Sequence, residues 1–205
     1  MSFDQAVALN DDILRLDDQI EYMKGVLIFG KDQSISDPIK DHSQLTIDLK
    51  STIDDHIRQV TLALAYSEQL ALAGMADDEH RLAIRAYVLS YRLGLARHGM
   101  TGRLLHAEMC DIGMLVDRLE VDVQSRYPYV SLVAVREAYY RARFYVRAYE
   151  DLERGSQEGK IAFDNAIAYL DTVSEEHYIS VTKVMQRIRD DLLLWIEYYK
   201  RLEDL

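Results

Sequence analysis

Apolar residues recur along this chain at alternating steps of three and four. Ala6, Leu9, Ile13, Leu16, Ile20, Met23 and Leu27 form the first such seam. Residues at that spacing share one face of an α-helix, as in helical bundles. Ser2 and Gln5 have capping-box spacing at its start, and Gly30 suits a helix end. The pattern places Asp11, Asp12, Asp17, Asp18 and Glu21 on the outer faces of this first helix. Residues 31–37 are polar and predict a flexible loop.

A second helix is predicted from Asp37-Pro38 or Ser43 to about Gly74, with Leu49, Ile53, Ile57, Val60 and Leu64 on one face. A third runs from about Asp77 to Gly99. Apolar residues surround much of its circumference, which predicts the most central position. In the fourth, Leu105, Met109, Ile112, Val116, Leu119 and Val123 form another seam, and Pro128 ends it. The fifth is predicted from Pro128 or Ser131 to Arg154, with Gly155 and Gly159 flanking the next loop. A sixth covers roughly 160–171. The last starts near Thr172-x-x-Glu175, a second capping-box spacing, or continues the sixth without a break. Its seam is Val181, Met185, Ile188, Leu192, Trp195, Tyr199 and Leu202. The expected fold class is therefore all-α: a mostly antiparallel bundle of six or seven long amphipathic helices in one domain, 1–205.

Composition agrees with helices. The 205 residues contain two prolines and nine glycines, and 49% are hydrophobic, enough for a sizeable core. The net charge of −11 argues against general binding to nucleic acid or to anionic membranes. The single cysteine, Cys110, rules out an intramolecular disulfide and fits a reducing compartment. No apolar run is long enough to span a bilayer, and the first residues do not read as a signal peptide. The expected location is cytoplasmic.

Several constellations bear on function. Three acid-acid-His triplets occur, at 54–56, 78–80 and 175–177. Neighbours one or two apart diverge around a helix, so these read as solvated faces rather than metal ligands. Nothing in the chain points to a cofactor. His80, Tyr87, Tyr91 and His98 share one stripe of the third helix. They form a candidate pocket lining, or else an interhelical packing seam. Arg136, Arg143 and Arg147, with Tyr140 nearby, share a face of the fifth helix and form a candidate partner surface. The third and fourth helices are joined by a turn at about Gly99–Thr101 and should be antiparallel neighbours. Equal rise then brings Arg92 level with Glu108 and Arg81 near Asp122, which predicts interhelical ion pairs. Arg85 is left without a level partner.

Arg92 and His98 are separated by five residues, a spacing that loosely resembles the signature of helical HEPN ribonucleases. Leu93 follows the arginine where a polar residue is usual there, and the acidic charge does not suit an RNA substrate. No glycine-rich phosphate loop, zinc cysteine set or serine elbow is present. The seams without a catalytic constellation imply a non-enzymatic, cytosolic helical protein that binds another protein: an adaptor, a regulator or an inhibitor of immunity type. A homo-oligomer is also expected. A ligand-sensing bundle built on Tyr87, Tyr91 and His98, and a helical enzyme (metal-dependent or HEPN-like), are the alternatives.

Overall fold

The computed structural model describes residues 3–29, 42–72 and 78–203. Seven helices occupy them: α1 (Phe3–Phe29), α2 (His42–Leu72), α3 (Asp78–Gly99), α4 (Gly102–Arg126), α5 (Leu132–Tyr149), α6 (Leu152–Leu170) and α7 (Glu175–Glu203). No strand occurs among the described residues. The fold is all-α, an antiparallel bundle in which each helix packs on the next. None of these helices is long and apolar enough to cross a membrane. The expected cap at Ser2, the loop at 31–37 and the Asp37-Pro38 start lie outside the described residues.

The helices form two layers. In the first, α1 neighbours α3, α3 neighbours α5, and α5 neighbours α7, so the odd helices make a row. In the second, each even helix packs against the odd helices that precede and follow it, and even helices do not touch one another. Three apolar layers fill the space between. Ala6 and Ile13 pack with Val60, Ala63, Ile84, Tyr87 and Tyr91. The α4 seam, Met109, Ile112, Val116, Leu119 and Val123, packs with Leu82, Leu89 and Leu93 of α3 and with Phe144 and Tyr145 of α5. Val135, Ala138 and Tyr139 of α5 meet Ala162, Ala166 and Ile188. Among the described side chains the seams thus turn toward these layers, wholly or half buried, and this burial is the main stabilising term.

Four local expectations are corrected. Helix α5 ends at Tyr149, five residues early. Glu150 adopts a left-handed φ of 55°, and the Asp151 side chain caps the next helix by accepting from the Arg154 amide at 2.9 Å. Gly155 and Gly159 therefore lie inside α6, buried, where they allow close approach rather than a loop. A Cβ on Gly155 would collide with Val146, and one on Gly159 would press on Leu192 and Trp195 at 3.0 and 3.2 Å. A break at residues 171–174 separates α6 from α7, so Thr172 lies within the link rather than at the helix cap. Finally, α5 rather than α3 is the most enclosed helix, with fourteen of its eighteen residues buried. Arginine and glutamate made α5 read as half-solvated, and the structure buries them as ion pairs.

Candidate functional site

The centre of the molecule is ionic. From α5, Arg143 and Arg147 project one turn apart toward α1, and Arg97 of α3 joins them. From α1, Asp17, Asp18 and Glu21 project inward, although the seam had placed them outside. Arg143 Nη2 donates to Asp17 Oδ2 at 2.6 Å and to Asp18 Oδ1 at 3.1 Å. Its Nη1 donates to Asp191 Oδ2 of α7 at 2.7 Å and to the Tyr139 hydroxyl at 3.1 Å. Tyr139 in turn donates to the same Asp191 oxygen at 3.0 Å. Arg147 Nη1 lies 2.9 Å from Glu21 Oε2, and its Nε lies 3.5 Å from Asp17 Oδ2. Arg97 Nη2 donates to Glu21 Oε1 at 3.0 Å. Two outlying ties complete the seat of α1: Asn10 donates to the Tyr140 hydroxyl at 2.6 Å, and Arg187 pairs with Asp11 at 3.2 Å.

These contacts reach across a gap. The α1 backbone packs closely on α2 and only slightly on α3; it meets α5 through side chains, and α7 through side chains and one backbone carbonyl, that of Asp11, which accepts from Arg187 at 3.4 Å. Arginine suits that task, with a long stem and a planar fork of donors that grips carboxylates. Burial by itself would raise the Asp17 carboxyl, but Arg147, Arg143 and Arg97 outweigh it and hold the group far below the usual carboxylate range. Glu21 is lowered as well, its burial overcome by Arg147, Arg97 and Lys24. Asp18 goes the other way, raised by burial and by the charges of Asp191 and Asp17 against the pull of Arg143. Arg143 is held well above its ordinary value, because Asp191, Asp18 and Asp17 more than offset its burial.

Arg147 is incompletely used. It is buried, yet its Nε and Nη2 find no hydrogen-bond acceptor among the described residues. It lines an internal cavity of about 40 Å³ together with Asp17, Arg97, Arg143, His56 and Glu137. A water needs roughly 10–15 Å³ on that measure, so the cavity has room for about three and for no larger ligand.

A second buried cluster lies across α5. Arg141 contacts Glu137 at 3.1 Å, Glu120 of α4 at 3.1 Å and Glu158 of α6 at 2.9 Å. Burial lifts Glu137 from 4.5 to about 7; Arg141 opposes the rise, and Glu120 and Glu158 add to it.

The sequence-derived candidates distribute as follows. Tyr87 and Tyr91 are fully buried in the α1–α2–α3 core, and Tyr87 meets the ring of Tyr140 edge-on. The void beside Tyr87 and Arg136 is about 10 Å³, too small for a ligand. His98 packs edge-on against the buried His56 of α2, with ring centroids 5.3 Å apart. Burial lowers His98 to about 4, with His56 adding to the effect. Arg143 and Arg147 are brought together as expected of one face, but that face turns inward to α1, while the half-buried Arg136 borders the void beside Tyr87. Arg92 Nη2 lies 2.8 Å from Glu108 Oε1. Asp122 pairs with Arg85, at 2.6 Å, instead of with Arg81. Helical side chains lean toward their own N-terminus, which on α3 is away from the α3–α4 turn. The long Arg85 therefore reaches the level of Asp122 from one turn closer to that turn. Sequence reasoning missed Arg97, Arg141, Asp17, Asp18 and Glu21.

Curated proteins similar to the chain are 14-3-3 proteins. The 14-3-3 family protein artA of Aspergillus flavus is 28% identical over 148 residues, covering 72% of this chain and 56% of the relative. Protein BMH1 of Saccharomyces cerevisiae is 28% identical over 153 residues, covering 75% and 52%. A 14-3-3 protein homolog of Encephalitozoon cuniculi is 48% identical over a shorter stretch of 52 residues, covering 25% and 20%. The chain thus spans about half the length of artA and of BMH1. No protein-family model matches it. The similarity agrees with the all-α bundle, since 14-3-3 proteins share that fold class.

Proposed function

We propose that this chain is a non-enzymatic, cytoplasmic adaptor that binds a partner protein, and that the arginine row Arg97–Arg143–Arg147 receives an acidic segment of that partner. The carrying observation is that row: three guanidinium groups from two helices converge on one place and there grip carboxylates. Arginine forks recognise carboxylate and other oxyanions bidentately, and a recessed site strengthens the contact by excluding water. The similarity to 14-3-3 proteins, which bind partner proteins without catalysing a reaction, supports the same reading. Homo-oligomers belong to it too, as 14-3-3 proteins form dimers.

The test begins with a partner captured from the source cells, purified and reconstituted with the full chain. Arg97→Gln is the variant of choice, because Arg97 is the least enclosed of the three and its loss disturbs the core least. Affinity for the reconstituted partner should fall at least about tenfold, the scale of one lost charge-assisted pair. Unchanged affinity would move the docking surface away from the row.

A further inference from the structure

Helix α1 is bound to the arginine row as a ligand would be. Without its three carboxylates, the row would hold Arg97, Arg143 and Arg147 against Asp191 alone among the pairs described above. Asp17, Asp18 and Glu21 supply the missing negative charge from within the chain, at 2.6, 3.1 and 2.9 Å. Three features mark this occupancy as exchangeable. The α1 backbone does not pack closely on α5 or α7, so polar groups, the carboxylates foremost, make the contact. Arg147, buried beside Arg143, keeps two N–H groups without a hydrogen bond among the described residues, so α1 fills the row incompletely. The cluster also sets four carboxylates, Asp17, Asp18, Glu21 and Asp191, against three guanidinium groups, so one carboxylate can leave without stranding an arginine.

Resting on the partner-binding reading above, we propose that α1 occupies the partner site in cis, and that an acidic helix of the partner exchanges with it. The occupant is an acidic helix because the cis occupant is one. Asp17, Asp18 and Glu21 share about one turn and a half, a spacing that a partner helix can reproduce. The chain is then closed until a partner offers either a better-fitting carboxylate set or a high local concentration. A cis occupant lowers the apparent affinity for a partner by the fraction of time the row is covered.

The experiment uses the full chain and a fluorescein-labelled synthetic peptide of residues 9–27. A control peptide carries amides in place of the carboxylates at 17, 18 and 21. The full chain is compared with its Asp17→Asn/Glu21→Gln variant by fluorescence anisotropy. The variant should bind the acidic peptide at least tenfold more tightly than the unmodified chain, and the amide peptide should bind neither. Equally tight binding by both proteins would overturn the cis occupancy while leaving the arginine row as a docking site. No binding by either, with helical circular dichroism intact, would overturn both readings. Hydrogen exchange covers the case in which the variant does not fold. Excess acidic peptide should accelerate amide exchange in residues 13–24 of the unmodified chain, and unchanged exchange there would overturn the proposal.

Discussion

Helix α5 carries two buried ionic clusters, and they solve the same problem with opposite charge ratios. Toward α1, three arginines face four carboxylates, and the central carboxyl, Asp17, is driven far into its ionised form. Toward α4 and α6, one arginine faces three glutamates, and the most buried of them, Glu137, is lifted to about 7. Burial penalises the charged form in both places. What differs is how many guanidinium groups stand near enough to offset it. A buried carboxylate is therefore not inherently a strained group; its state follows from the local count of cations.

The largest loss of stability is expected at Arg143. It is 4% exposed and contacts Asp17, Asp18, Asp191 and Tyr139 at once. Arg143→Gln should cost about 3–5 kcal/mol in urea or guanidinium unfolding, because it strands buried carboxylates. A loss below about 1 kcal/mol would mean that the cluster is solvated.

The next effect sharpens the contrast through pH. Glu137 binds its proton more tightly in the folded state, so its contribution is greatest below pH 4.5. It declines as pH rises to about 7 and is level above that. The decline should be on the order of 2–3 kcal/mol, and Glu137→Gln should remove it. Asp17 has the reverse slope: its stabilisation is present above the ordinary carboxylate range and is lost as pH falls below it. Unfolding curves recorded from pH 4 to 8 on the two proteins measure the difference. Parallel curves would place Glu137 in water.

The smallest effect belongs to a pair outside both clusters. Arg92 and Glu108 are 28% and 21% exposed, and their double-mutant cycle should give roughly 0.5–1 kcal/mol. A coupling as large as that of Arg143 would erase the distinction between enclosed and peripheral pairs.

What the chain discloses before folding depends on how each residue is stabilised. The α4 seam could be read directly, since Met109, Ile112, Val116, Leu119 and Val123 have no alternative to burial. The α3–α4 pairing followed from a two-residue link and equal helical rise. The arginine row did not, because charged residues default to the outside and their burial depends on partners 48 to 126 residues away. One local signal was available: Arg141 and Arg143 point about 200° apart on a helix, so they could not share an outer face. The end of α5 was hidden for another reason. Glycine is read as a stop, whereas Gly155 and Gly159 serve contact between helices.

The distance along the chain between Asp17 and Arg143 has a consequence for biosynthesis. The pair is 126 residues apart. At about 5–20 residues per second, Asp17 leaves the ribosome roughly 6–25 s before Arg143 does. Through that interval α1 can join α2 into a local hairpin, but its carboxylates have no arginine row to meet. The same repelling charges keep the nascent segment hydrated and apart from its copies on neighbouring ribosomes. Closure of α1 onto α5 is thus a late event in the maturation of the chain, and a cell that slows translation between residues 100 and 147 lengthens the time α1 spends unclasped.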